Sequence, residues 1–261
     1  MALFTDQTGR VVHVPKHPMR IVSLVPSQTE LLFDLELENE VIGITKFCIH
    51  PEHWYKTKTR VGGTKQVNTE MIHRLQPDLI IANKEENVKE QIEEIARHYP
   101  VWISNVNNVK DALTMIKEIG RLTGKEFRAS ELISDIQKNF KTTAGKKKRR
   151  RAAYLIWKDP WMAAGGDTFI NSMMEAAGFD NVFKEKNRYP EISIRELTAS
   201  GCHFVLLSSE PFPFRQKHAD ALSQKLQGSK VLLVDGEMFS WYGSRMKYAP
   251  AYFQNLICNL Y

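Results

Sequence analysis

KEFRASELISDIQKNFKTTAGKKKRRR, Lys125–Arg151, reads as one charged helical segment set between two halves of the chain that repeat each other. Leu132, Ile133, Ile136 and Phe140 recur at helical spacing among Lys, Arg, Glu, Asp and Gln, the pattern of an amphipathic helix with a narrow apolar stripe. No Pro or Gly interrupts it between Glu126 and Ala144. Some twenty helical residues span about 30 Å, the width of a small domain, so this segment can hold two lobes at a fixed separation.

The repeat lies on either side. Before the segment the chain runs strand (RIVSLV from Arg20), capped helix (Ser27 to Leu35), strand (VIGIT from Val41), helix (Thr69 to Leu75), strand (LIIA from Leu79), helix (Val88 to His98), strand (VWI from Val101) and a helix to Leu122. After it the order returns: AAYLIW from Ala152, a helix from Thr168, NVF at Asn181, a short helix at Ile194, FVLL from Phe204, a helix near Asp220, VLLV from Val231 and a helix to Leu260. Glu70 and Glu196 open equivalent helices, Val101 and Val231 equivalent strands. The expected architecture is α/β: two Rossmann-like lobes, residues 1–124 and 151–261, joined by one linker helix at 125–150, with a ligand cleft between them. Ahead of the first lobe, Thr8-Gly9 turns a small hairpin between Leu3-Phe4 and Val11-Val12-Val14.

Composition fits this picture. A chain of 261 residues with 43% apolar content can build two cores, and no apolar run approaches the roughly 20 residues of a membrane span. The net charge of +6 owes much to the cluster Lys146–Arg151, which reads as a solvated helix end and gives no nucleic-acid footprint. Three cysteines, Cys48, Cys202 and Cys258, form no disulfide framework. MALFTDQTGRVVHVPKHP lacks the basic start, apolar core and cleavage site of a signal peptide, so the compartment stays open between cytoplasm and export.

Loops after the carboxyl ends of parallel strands form the ligand crevice of α/β sheets, and the candidate binding residues lie on such loops. Pro26-Ser27, with Glu30 at capping-box spacing from Ser27, opens the first helix. Phe47-Cys48-Ile49-His50-Pro51-Glu52-His53 mixes aromatic and coordinating side chains; Cys48, His50 and His53 are metal-ligand types, but the set lacks a fourth ligand and a recognised spacing. Thr64, after Gly62-Gly63, and Asn83, after LIIA, sit on neighbouring loops. In the second half, the rings of Trp157, Trp161 and Tyr189, with Met162, and then of Phe239, Trp241 and Tyr242, with Arg245, stand where a solvated turn needs none. No nucleophile–base set declares itself, so binding is favoured over catalysis.

RIVSLVPSQTELLFDLELENEVIGITKFCIHPE (Arg20–Glu52), VGGTKQVNTEMIHRLQPDLIIANKEEN (Val61–Asn87), GGDTFINSMMEAAGFDNVF (Gly165–Phe183) and MFSWYGSR (Met238–Arg245) carry a resemblance. The chain is similar to the substrate-binding proteins of ABC importers that take cobalamin, ferric siderophores and haem, nearest to the cobalamin-binding branch. The resemblance implies a monomer with no intrinsic cofactor, holding a metal chelate, most simply a cobalt corrinoid, between two lobes by aromatic rings. It also implies a periplasmic setting and a permease partner, whose arginines would meet Glu70 and Glu196 at the lobe tips. Phe47, Trp157, Trp161 or Met162, and Tyr189 match ligand-contacting aromatics of the family. Thr64 and Asn83 stand where the cobalamin binders carry Trp, leaving the first lobe's side less aromatic, and His50 is unusual in a position that could face the metal. Two readings stay open: a corrinoid, siderophore or haem binder feeding a permease, and a cytosolic corrinoid- or tetrapyrrole-handling protein or enzyme on the same scaffold.

Overall fold

The computed structural model describes residues 1–143, 150–226 and 228–259. At the start, β1 (Ala2–Thr5) and β2 (Val11–Val14) form the expected antiparallel hairpin, with Gly9 at φ +88° in its turn. There follow β3 (Ile21–Ser23), α1 (Pro26–Asp34), β4 (Val41–Ile44), α2 (Glu52–Thr57), β5 (Thr59–Arg60), α3 (Thr69–Leu75), β6 (Leu79–Asn83), α4 (Lys89–Ile95) and β7 (Val101–Ser104). The five strands β3 to β7 make one parallel sheet in the order β5-β4-β3-β6-β7. Strands covered on both faces must be apolar throughout, and Leu79, Ile80, Ile81 and Ala82 are all fully buried.

Two helices come next, α5 (Val109–Thr123) and α6 (Glu126–Thr143). They pack so closely that a Cβ at Gly120 would stand 2.5 Å from the Ala129 Cβ. Along α6 the expected stripe is narrow: Ile136 is buried, while Leu132, Ile133 and Phe140 are half-buried. The helix ends before 150, where a strand already begins, and most of the basic cluster, Lys146 to Arg149, lies outside the described residues.

The second half runs β8 (Arg150–Trp157), β9 (Met162–Ala163), α7 (Phe169–Ala176), β10 (Phe179–Asn181), α8 (Ile194–Ala199), β11 (Phe204–Ser208), α9 (Gln216–Ser223), β12 (Lys230–Val234), α10 (Glu237–Ser240), a 3-10 turn (Ser244–Lys247) and α11 (Ala249–Cys258). The expected extension of α11 to Leu260 falls outside the described residues. Here the parallel sheet has the order β10-β8-β11-β12, with β9 antiparallel on β8.

The repeat is therefore one of winding. From β3 the chain moves outward through β4, then returns to the other side of β3 as β6 and β7; β8, β10, β11 and β12 repeat that path. Each sheet so acquires a switch point, between β3 and β6 in the first and between β8 and β11 in the second, where diverging connections leave a crevice at the carboxyl ends. Contacts divide the chain into two compact units. The first holds Met1–Val106, Lys110–Asp135 and Tyr242–Arg245; the second holds Asn107–Val109 and the described residues of 136–241 and from 246 onward. The division falls inside α6. Among the described residues no helix is long and apolar enough to cross a membrane.

One local expectation fails. Ser27 and Glu30 do not form a capping box, because Pro26 itself is the first residue of α1, with Val25 at the N-cap and no side-chain cap bond. Proline is preorganised for that position, which puts Ser27 inside the first turn, where it is buried.

Candidate functional site

In the first unit the switch point is filled by its own hydrogen bonds. Asn83 Oδ1 accepts the N–H groups of Glu85 and Glu86 at 2.8 and 2.9 Å, and its Nδ2 donates to Ser104 Oγ at 2.9 Å. Asn87 Nδ2 donates to the carbonyls of Leu24 (3.3 Å) and Thr64 (3.0 Å), linking the loop after β6 to those after β3 and β5. Asn83 is 3% exposed, so its carboxamide belongs to the scaffold. Beside it, Pro26 and Thr64 are half-buried, and Ser27 lies under Gly243, where a Cβ would come within 2.9 Å of the Ser27 carbonyl.

Phe47 is the ring that this edge presents to solvent, half-exposed and with the Lys46 ammonium 5.1 Å from its centroid. The three metal-ligand types near it do not converge. Cys48 is fully buried, its sulfur 3.1 Å from both Thr29 Oγ1 and Thr45 Oγ1, and burial pushes its thiol up. His53 is carried away by α2 to Glu38, 3.2 Å from its Nε2, and sits edge-on to Phe33. Among the described residues no group of three or more His, Cys, Asp and Glu could hold a metal ion.

Half-buried His50 lies near Glu30. Glu30 is gripped by Arg245 through two bonds, Nε to Oε2 at 2.8 Å and Nη2 to Oε1 at 2.5 Å. Burial pushes the Glu30 carboxyl above the usual carboxylate range, against the pull of the guanidinium. Arg245 thus has a protein partner on α1, and Tyr242 in the same segment is buried.

The second switch point has the opposite character. Trp157, at the end of β8, is 39% exposed and stands edge-on to Phe212, centroids 5.6 Å apart. Phe212 sits on the loop after β11, whose N–H reaches back to the Ile156 carbonyl at 3.3 Å. Phe214 packs on Phe212 at 4.7 Å and lies parallel to Trp161 at 5.9 Å. His218 closes the group, edge-on to both phenylalanines. Its Nδ1 accepts the Arg215 N–H at 2.9 Å, so the neutral ring carries its proton on Nε2, as a donor. Desolvation first, then Lys217, Lys158 and Arg215, hold the His218 pKa down. Met162 pairs with Trp157 across β8 and β9, and half-buried Tyr189 lies beneath the Arg188 guanidinium, 5.8 Å from its centroid.

Phe239 and Trp241, expected on this surface, are inside it. Phe239 is fully buried against Tyr154 (5.1 Å) and Phe253 (4.8 Å). Trp241 is 7% exposed and donates its Nε1–H to Glu210 Oε1 at 2.9 Å, which also accepts from Ser240 Oγ. Conversely, the sequence reading passed over Phe212, Phe214 and His218, although Pro211-Phe212-Pro213-Phe214 directly after an apolar strand was a legible signal.

The two acidic residues expected at equivalent helix starts are so placed. Glu70 lies in the first turn of α3, capped by Asn68 Oδ1 accepting from Met71 N–H, and pairs with Arg74. Glu196 forms a capping box with Ser193 at the start of α8 and meets Lys186 at 3.2 Å; hydrogen bonds from Ser193 and Lys186 hold its carboxyl low. Both side chains are well exposed, at 74% and 48%.

Three known proteins are similar to this chain. An uncharacterized ABC transporter substrate-binding lipoprotein of Bacillus subtilis is 31% identical over 197 residues, 70% of this chain. A vitamin B12-binding protein of Vibrio campbellii is 24% identical over 189 residues, 68% of this chain. The chain spans 59% and 66% of the length of these two curated relatives. Among solved structures, the periplasmic vitamin B12 binding protein of Vibrio cholerae aligns with a TM-score of 0.77 and 18% identity, covering 92% of this chain and 98% of that one, which shows the shared fold. The family model described as periplasmic binding protein matches residues 21–227, a span that takes in the strands of both switch points, and the chain belongs to that family.

Proposed function

We propose that this protein is the substrate-binding component of an ABC importer and that its cargo is a metal chelate with a broad apolar face, a corrinoid. The observation that carries this reading is the ring group Trp157, Phe212, Phe214 and Trp161 at the second switch point, with Trp157 left 39% exposed. An indole held there has its flat face wasted unless a ligand covers it. The names of the relatives, an ABC transporter substrate-binding lipoprotein and a vitamin B12-binding protein, support the same class. The role is binding rather than catalysis: Ser27 is buried in α1 and Glu30 is committed to Arg245, so neither is poised as nucleophile or base. Exposed Glu70 and Glu196 would meet cationic residues of a permease, and the working place would be outside the cytoplasmic membrane.

Calorimetric titration with cobalamin, cobinamide, haemin and a ferric hydroxamate tests the proposal. The expected result is about one corrinoid per chain with micromolar or tighter affinity. No heat with any of the four would overturn it.

A further inference from the structure

Pro211-Phe212-Pro213-Phe214-Arg215 carries the chain, and two of the rings of the second switch point, from β11 to α9. Proline has no N–H, so these five residues have only three backbone donors with which to hold their shape. Each is used: Phe212 donates to the Ile156 carbonyl at 3.3 Å, Phe214 to the Phe212 carbonyl at 2.8 Å, and Arg215 to His218 Nδ1 at 2.9 Å. The first bond ties the segment to β8 beside Trp157, the second folds it on itself, and the third ties it to α9. Of the three, the last alone rests on a side chain that can titrate.

His218 is the third residue of α9, the position from which a Glu or Gln side chain returns to the N-cap N–H in a capping box. Here an imidazole makes that return, through its Nδ1 lone pair. The half-buried ring also stands edge-on to Phe212 at 5.3 Å and to Phe214 at 5.7 Å. One side chain thus holds the segment's last donor and abuts the two phenylalanines, which in turn meet Trp157 and Trp161.

A proton on Nδ1 is incompatible with this arrangement. Imidazolium carries N–H on both nitrogens, so its Nδ1–H and the Arg215 N–H would be two donors face to face. Either the ring turns off its seat against the phenylalanines, or Phe214-Arg215 shifts. The surroundings give the charge little support: burial against the rings opposes it first, Lys217, Lys158 and Arg215 add repulsion, and Asp159, which favours the proton, is paired with Lys158 at 2.7 Å. The imidazole is therefore neutral at neutral pH and takes up its proton only below the ordinary histidine value.

We infer that His218 is a positioning residue of the cargo surface, holding Phe212 and Phe214 in place through the Arg215 N–H, and that the protein loses affinity for its cargo when this imidazole gains a proton. The inference rests on the reading above that the ring group is where cargo binds. Its sign follows from linkage: a cargo that needs the neutral ring binds most tightly at neutral pH and above, and more weakly as the pH falls, by at most about tenfold per pH unit for one proton.

The test is calorimetric titration of the intact protein with cyanocobalamin at about pH 7.5 and about pH 5, with the tryptophan emission of the free protein followed over the same range. The wild type should bind about fivefold or more weakly at the lower pH, and its emission should shift as the surroundings of Trp157 and Trp161 change. His218→Gln keeps an acceptor for the Arg215 N–H and does not titrate; its affinity should differ by less than about twofold between the two pH values, and its emission should stay constant. His218→Leu, apolar but without an acceptor, should bind at least about threefold more weakly than His218→Gln at about pH 7.5, the weight of one lost hydrogen bond. A wild-type affinity that does not fall, a fall that His218→Gln shares, or equal binding by the Gln and Leu variants overturns the positioning role and leaves the corrinoid reading standing. No binding of cyanocobalamin at about pH 7.5 removes the corrinoid reading; the positioning role is then upheld by a wild-type emission shift that His218→Gln lacks, and overturned by its absence or by a shift common to both.

Discussion

The switch points of the two sheets share a connectivity and differ in what fills them. In the first, Asn83, Asn87 and Ser104 cross-link the ends of β3, β6 and β7, so the crevice is closed by the protein's own polar groups. In the second, Trp157 at the end of β8 stands edge-on to Phe212 on the loop after β11, and a phenyl ring brings no hydrogen bond to close the crevice. Topology therefore fixes where a crevice can form, and side chains decide whether it is sealed or left apolar and open. At its switch point the first unit leaves Phe47 half-exposed, and the second unit leaves Trp157 exposed at the edge of a group of rings.

The sharpest way to break this contrast is to replace rings that differ in burial within one unit. Phe239→Ala should lower stability by about 3–5 kcal/mol in urea denaturation, as large-to-small core changes do, with affinity per folded molecule unchanged. A Phe239→Ala protein that stayed as stable as the wild type and lost its cargo would move this ring from core to site. Next in size is Asn83→Ala at the sealed crevice. It strands the N–H groups of Glu85 and Glu86 and should cost about 2–3 kcal/mol with no change in affinity, a direct check that the first switch point is scaffold.

Smaller still is the effect of Glu210→Gln. Burial pushes this carboxyl above the usual carboxylate range, with Glu237 and Asp235 adding to the rise and donors on Ser240 and Trp241 opposing it. The folded state then holds the proton at pH values where the unfolded chain releases it. Stability from this group is full below the ordinary carboxylate value near 4.5 and is lost as pH rises through the higher folded value. Gln keeps the acceptor for Ser240 and Trp241 and cannot ionise. Thermal melts should show the variant gaining on the wild type between about pH 5 and 7, by on the order of 1 kcal/mol or less, with the gap closing towards pH 4; a gap that widened at low pH would contradict the burial account.

The scaffold was legible because strands buried on both faces are continuous apolar runs, and RIVSLV, LIIA, AAYLIW and FVLL stand out against polar helices at a regular spacing. The surface was less so. Trp157, Trp161, Phe239 and Trp241 look alike in sequence, and their exposure is set by partners far along the chain: Tyr154 and Phe253 enclose Phe239, and Glu210 takes the Trp241 N–H. Glu30 misled for the same reason, since local spacing pointed to Ser27 while its partner, Arg245, lies 215 residues away. Cys48, His50 and His53 are close in sequence, but a buried turn and a helix send their side chains apart. The helix expected from Thr168 is there, with Thr168 as the N-cap of α7, its side chain accepting the Asn171 N–H.

Trp157 is the ring that β8 carries to the second switch point, 39% exposed. Titration of Trp157→Ala with cobinamide, beside thermal melts of the same sample, should give an affinity ten- to a hundredfold weaker, matching the roughly 1.5–3 kcal/mol that one buried aromatic contributes, with a melting temperature close to that of the wild type. A lowered melting temperature with affinity per folded molecule unchanged would contradict it.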